Sequence, residues 1–298
     1  MPVPIVAVVG ATAAGKTGLS LDLAERLGGE VVNTDAMQVY RGMDVGTAKL
    51  APDERRGIPH HLLDTHDVAE PVSVAEFQAE ARSVIADLRD RGVVPVLVGG
   101  SALYTRAVLD RFEFPGTDPA LRRRLEDERA EIGTPAMHAR LAEVDPAAAA
   151  QILPDNARRI VRALEVVELT GRSFTATLPR LEYADPHSVQ VGVDIDRATL
   201  DQRIAARVRQ MYADGLVEEV AGLGPLGPTA ATAIGYRQAA AHLAGELTLD
   251  EAIERTTSGT RRFARRQDSW FRKDPRIVWV DHDDPGRLEK ALAAIPTT

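Results

Sequence analysis

The sequence predicts an α/β protein: a parallel sheet flanked by helices, with an all-helical segment inserted into it. Three observations carry this. Short apolar runs alternate with amphipathic stretches in the N-terminal third, as strands joined by helical crossovers do. A glycine-rich turn separates the first apolar run from the first amphipathic stretch. Between about Pro115 and Pro186 the chain turns helical and charged, and loses its β-branched runs.

The elements follow in order. Residues 3–9 are an apolar run of the kind buried in a parallel sheet. Leu19, Leu23 and Leu27 recur at helical spacing over residues 16–27, and Gly28-Gly29 stops that helix. Residues 30–33 read as a second strand. Ser73 with Glu76 forms a capping box for a helix reaching about residue 91. Its apolar face is Phe77, Ala81, Val84, Ile85 and Leu88. Gly92 ends it, and residues 93–98 follow as a buried strand. In the insertion, helices are expected over 121–131, 137–143 and 156–170, the last stopped by Gly171. Residues 189–194 return to the sheet, a helix spans 198–213, further helices run to about 272, and 277–280 is the last strand. The expected division is a core of 1–114 with 187–298, and a helical insertion of 115–186.

Composition bounds the function. The 298 residues suffice for one large domain or two smaller ones. No apolar run is long enough to cross a membrane. The N-terminus lacks the basic region and cleavage site of a signal peptide. Cysteine is absent, which removes disulfides and thiolate chemistry. A cytoplasmic monomer with no obligatory protein partner is expected. The net charge of −8 alone argues against nucleic acid. Its distribution argues otherwise. The 36 basic residues comprise 4 Lys and 32 Arg. Residues 255–276 hold eight basic and two acidic side chains, hence +6, leaving −14 for the rest. Arg261, Arg265 and Arg266 stand there among Phe263, Trp270 and Phe271, as in RNA-contacting segments. A solvated amphipathic helix is the ordinary alternative.

Gly10, Ala11, Thr12, Ala13, Ala14, Gly15, Lys16 and Thr17 match G-x-x-x-x-G-K-[ST] between a strand and a helix, which makes the sheet P-loop NTPase-like. Such a loop turns backbone N–H groups onto phosphate oxygens of a diphosphate or nucleotide, and the helix N-terminus adds positive potential. Lys16 would neutralise phosphate charge and the Thr17 hydroxyl would ligate Mg²⁺. The loop specifies a polyphosphate, not a nucleotide. The usual second element, a strand ending in Asp, is missing: residues 93–98 run into Gly99-Gly100-Ser101. Asp35 after the second strand is the nearest acid, as a base, a metal holder or a helix cap. Gln38 carries the donor and acceptor that an adenine edge requires. Ser101 is an anion or base contact, or a helix cap. The adjacent His60 and His61 fit a structural or phosphate-proximal role better than a metal site.

Together with D-A-M-Q-V-Y at 35–40, G-T-A-K at 46–49, P-H-H-L at 59–62 and G-G-S-A-L-Y at 99–104, the loop resembles a family signature. A-I-G-Y-R-Q at 233–238 and R-R-F-A-R-R-Q-D-S-W-F-R at 261–272 complete it. The chain is similar, over nearly its whole length, to the bacterial tRNA dimethylallyltransferases, also called tRNA isopentenyltransferases. Ala36 stands where Ser is usual, and Ser101 where Thr is usual.

The resemblance implies transfer of a dimethylallyl group from dimethylallyl diphosphate to N6 of the adenosine 3′ of the anticodon, in tRNAs reading codons that begin with U. It implies Asp35 as the base on N6, with Lys16, Thr17 and Mg²⁺ on the diphosphate. Arg203 or Arg207, spaced i, i+4, would add a guanidinium, unless they pair with Asp201 or Glu218. Asp35, Ala36, Met37, Gln38 and Ser101 would hold a flipped adenine. Arg122, Arg123, Arg158, Arg159 and Arg162 of the insertion would grip the anticodon arm, unless ion pairs with acidic neighbours such as Glu126 absorb them. Two other classes remain: a P-loop kinase with a helical lid, or a prenyl transferase on free adenosine phosphates; and a nucleotide-switched RNA-binding protein, for which no N-K-x-D base-reading motif is present.

Overall fold

The computed structural model describes residues 3–112, 114–177 and 181–295. The chain divides into two compact units, Met1–Leu109 with Asp185–Thr298, and Asp110–Ala184. The first is built on a six-stranded, wholly parallel sheet of order β3-β2-β4-β1-β5-β6. Its strands are β1 (Ile5–Val9), β2 (Gly29–Asn33), β3 (His60–His61), β4 (Val94–Val98), β5 (Ser188–Asp194) and β6 (Ile277–Asp281). Every residue of β1 is buried, as a central parallel strand requires.

Helix α1 (Lys16–Leu27) covers one face, packing Leu19 and Leu23 against Val6, Val8, Val31, Val96 and Val191. Gly28, at φ 61°, ends it. Helix α2 (Val74–Asp90) returns the chain to β4, in the opposite direction along the sheet, so a right-handed crossover puts it on the other face. Its capping box forms as the sequence indicates: Ser73 Oγ accepts the Glu76 N–H at 3.2 Å, and Glu76 accepts the Ser73 N–H at 2.9 Å. After β4 comes α3 (Ala102–Leu109).

The histidine pair is strand β3, at the sheet edge. His61 meets Glu30 at 2.6 Å and His60 meets the Ile58 carbonyl at 2.8 Å. Burial lowers the His60 imidazole below its ordinary range. These contacts account for the pair structurally.

The second unit is helical: α4 (Pro119–Ile132), α5 (Thr134–Val144), α6 (Pro146–Ala149) and α7 (Ala157–Thr170). Leu125, Met137, Leu141, Ile160 and Leu164 form its own core. Helices α8 (Arg197–Ala213), α9 (Leu216–Gly222), α10 (Tyr236–Leu243) and the 23-residue α11 (Leu249–Phe271) lie between β5 and β6. Helix α12 (Arg287–Ala293), which the sequence reading did not anticipate, packs beside α1. Among the described residues no helix is long and apolar enough to cross a membrane.

Candidate active site

Strands β1 and β4 are neighbours, yet the chain leaves them in opposite directions, toward β2 and toward β5. The crevice at their carboxyl ends is where open α/β sheets bind ligands. The glycine-rich loop of residues 10–17 follows β1, and Gly99-Gly100-Ser101 follows β4. Gly10 has φ 137° and sits so close to β5 that a Cβ would be 3.0 Å from the Val193 carbonyl oxygen. Gly15, at φ 101°, caps α1. Between them Ala13 holds φ 63°, which non-glycine residues rarely adopt. Lys16 folds back over the loop and donates to the Ala11 carbonyl at 2.7 Å. Burial, and then the nearby Arg207 guanidinium, lower the Lys16 ammonium to about 8, with Asp35 opposing. Burial also lowers Arg207, again opposed by Asp35. Two crowded, desolvated cations constitute a site whose charge a bound anion would relieve.

A cavity of about 570 Å³ opens here. The strand ends contribute Thr12, Ala13, Asp35, Ala36, Met37 and Ser101 to its wall. Helix α8 contributes Arg207, α11 contributes Arg262, Phe263 and Arg266, and the α10 region contributes Ile234, Tyr236 and Arg237. Asp35 is fixed by a local turn. Asn33 Oδ1 accepts the Asp35 N–H at 2.8 Å, and Asp35 Oδ1 accepts the Met37 N–H at 2.9 Å. Among the described residues, nothing hydrogen-bonds its second oxygen. Gln38 does not line this wall: its amide donates to the Thr47 carbonyl at 3.1 Å. Ser101 both lines the cavity and caps α3, through the Tyr104 N–H at 3.5 Å.

Arg203 and Arg207 share a face of α8, and neither forms an ion pair with Asp201 or Glu218. Arg207 faces the cavity. Arg203 donates to His282 Nδ1 at 3.2 Å, and its guanidinium lies 3.9 Å from where a Cβ on Gly15 would be. Arg261 instead docks α11 on α8, donating to the Asp201 carbonyl at 3.1 Å. Arg266 stacks 5.8 Å from the Phe263 ring centre. Arg265 is exposed and away from the cavity wall.

In the helical unit, Arg122 and Arg162 both bind the fully buried Glu165 carboxylate, which also accepts the Asp118 N–H at 3.2 Å. Burial alone would raise Glu165; the two guanidiniums hold it below the carboxylate range. Arg124 pairs with Glu168. The partners of Arg122 and Arg124 are on α7, not the acidic residues that follow them in sequence. Arg123 and Arg158 are exposed, and the exposed Arg159 stacks 5.8 Å from the Phe174 ring centre.

Several contributors have structural roles that the sequence does not reveal, although Tyr236 and Lys49 stand in two of its motifs. The Glu219 carboxylate accepts the N–H groups of Asp44, Val45 and Gly46 at 3.0, 2.7 and 3.2 Å, and the Tyr236 hydroxyl at 2.5 Å. Burial and that carboxylate push the Tyr236 phenol up. Lys49 is buried between Asp44 at 2.6 Å and Asp64 at 2.5 Å. The G-T-A-K motif is therefore a braced cavity wall. Strand β5 does end in an acid beside β1, Asp194, but Arg272 is bonded to its carboxylate.

The fold and site define a class: an α/β protein whose glycine-rich loop after β1 shares one basic cavity with an acid and an arginine-rich helix. The sequence comparisons narrow it. The family model described as IPP transferase matches residues 38–274, and the chain belongs to the IPP transferase family. It is 68% identical to a Nocardioides sp. protein named tRNA dimethylallyltransferase, over 99% of this chain and 96% of that one. A Salinispora tropica protein of the same name is 60% identical over 98% of this chain and 92% of its own length. The crystal structure of the Bacillus halodurans tRNA isopentenylpyrophosphate transferase is 39% identical, with TM-score 0.68, covering 97% of this chain and 98% of that one. A eukaryotic dimethylallyltransferase solved acting on tRNA is 26% identical, with TM-score 0.81, covering 97% of this chain and 76% of that one.

Proposed function

We propose that the chain transfers the dimethylallyl group of dimethylallyl diphosphate to N6 of the adenosine 3′ of the anticodon, in tRNAs reading codons that begin with U, and releases diphosphate. The single observation that carries this is the shared cavity: phosphate loop, Asp35 and the basic face of α11 line one space. The names of the close relatives support the reaction class.

The chemistry follows from the substrates. The N6 lone pair forms a bond to the allylic carbon while the C–O bond breaks and its electron pair leaves with diphosphate. An exocyclic amine is a weak nucleophile, so charge must be stabilised on the leaving group and a proton removed from N6. In this reading Lys16, Arg203 and Arg207 bind the diphosphate, and the loop amides add hydrogen bonds. Asp35, whose second oxygen is unengaged, takes the N6 proton. Ala36, Met37 and Ser101 pack around the base, and Gln38 supports the turn from behind. The Thr17 hydroxyl is a hard oxygen donor beside the loop and fits Mg²⁺, which when bound would add positive charge to the leaving oxygens. Arg262 and Arg266 meet tRNA phosphates, and Arg123, Arg158 and Arg159 offer a second set on the helical unit.

The test is direct. The protein is incubated with unmodified tRNA, Mg²⁺ and radiolabelled dimethylallyl diphosphate, and nucleosides are separated after digestion. Label in N6-substituted adenosine next to the anticodon supports the reading. Absence of label in tRNA overturns it.

A further inference from the structure

We propose that Gln267 is a positioning residue for the phosphate loop, tying it to the helix that carries the cavity's arginines. The proposal rests on reading that loop as the diphosphate site. Gln267 lies on α11 within the basic run and is 5% exposed. Its side-chain oxygen accepts the Thr12 N–H at 2.8 Å, and its side-chain nitrogen donates to the Gly100 carbonyl at 2.8 Å. Thr12 belongs to the turn after β1 and Gly100 to the turn after β4. One buried amide therefore joins the two turns at the sheet's switch point.

Both contacts need an amide. A backbone N–H must meet oxygen and a carbonyl must meet an N–H donor, so the orientation of Gln267 is fixed by its partners. The fit also depends on Gly100, because a Cβ there would collide with the Gln267 amide nitrogen. Thr12 N–H lies in the loop whose amides cradle phosphate, yet Gln267 consumes it. The loop is thereby held open in one shape, and the amides nearer Lys16 are left for the anion. Phe263 and Arg266, within about one helical turn of Gln267, line the cavity. A shift of α11 is thus transmitted to both turns.

Gln267→Met keeps the volume and removes both hydrogen bonds. It should raise the KM for dimethylallyl diphosphate, and the Kd for inorganic pyrophosphate with Mg²⁺, about tenfold or more. The tRNA Kd should stay within about twofold, a split that general loosening of the fold would not give. Gly100→Ala, which displaces the same amide, should reproduce the defect. Combining it with Gln267→Ser should be no worse than Gln267→Ser alone. An unchanged donor KM and pyrophosphate Kd in folded Gln267→Met protein would overturn the proposal, as would equal losses for donor and tRNA. If Gln267→Met does not fold, Gly100→Ala decides by the same readings. Wild-type protein that neither binds pyrophosphate nor transfers the label would instead overturn the reading of the loop.

Discussion

Glu165 in the helical unit is fully buried and bonded to both Arg122 and Arg162. Asp35, just past β2 at the carboxyl ends of the strands, stands near Lys16 and Arg207, close enough to shift both electrostatically, yet bonded to neither. Each region brings one carboxylate to two cations. In the first the charges are closed on one another and tie α4 to α7. In the second they are held apart by backbone: Asp35 by its own turn, Lys16 by the loop carbonyl it reaches. Charges kept apart at a cavity wall remain available to a ligand. The arginine-rich composition is therefore two populations with the same chemistry and different partners.

The largest expected effect is at Asp35. Asp35→Ala should lower single-turnover transfer by about 10²–10⁴, with tRNA binding and melting preserved. Full activity would remove Asp35 as the base. Glu165→Ala should do the opposite. Losing the carboxylate that both guanidiniums bind should cost about 1.5–3 kcal/mol in the helical unit, because the two arginines left behind are partly exposed and regain water, and it is read as lost hydrogen-exchange protection in α4 and α7. Because Glu165 is held below the ordinary carboxylate range in the folded state, its contribution is present above the unfolded value and disappears as pH falls through the folded one. Protection of α4 and α7 that does not change on acidification would contradict this. A smaller effect should appear at Lys16. Its ammonium titrates near 8 in the free protein, and an anion favours the charged form. Once the ligand's own ionisations are accounted for by running a Lys16→Met variant alongside, pyrophosphate affinity should therefore be flat below that pH and weaken by up to about tenfold per unit above it. Calorimetry that shows a flat profile to about pH 9.5 would mean that Lys16 does not hold the anion.

Sequence periodicity reveals much of this frame because the relevant signals are local. The alternation of buried strands, the Ser73–Glu76 box, and the glycines after residues 27 and 170 mark elements that the structure contains. The glycine-rich loop and the order of motifs mark the carboxyl end of β1 and the family. What stayed hidden depends on contacts far apart in the chain. Nothing near Gln267 points to Thr12, and nothing near Glu219 points to the backbone of residues 44–46. Arg122 is followed by three acids, and its partner is on another helix. Helical phase on α11 decides which arginines reach the cavity, so Arg262 stands there while Arg265 and Arg261 face elsewhere. The short helix α12 had no cap or long apolar repeat to announce it.

The distinction between the two arginine populations is tested most directly by neutralising one pair from each and titrating tRNA binding against salt. Arg262→Gln with Arg266→Gln should lower the slope of log K against log salt by about 1.4–1.8 and leave hydrogen exchange in the helical unit unchanged. Arg122→Gln with Arg162→Gln should leave the slope unchanged and lose protection in α4 and α7. The reverse pattern, a flattened slope from the Glu165-bound pair and none from the cavity pair, would contradict the account.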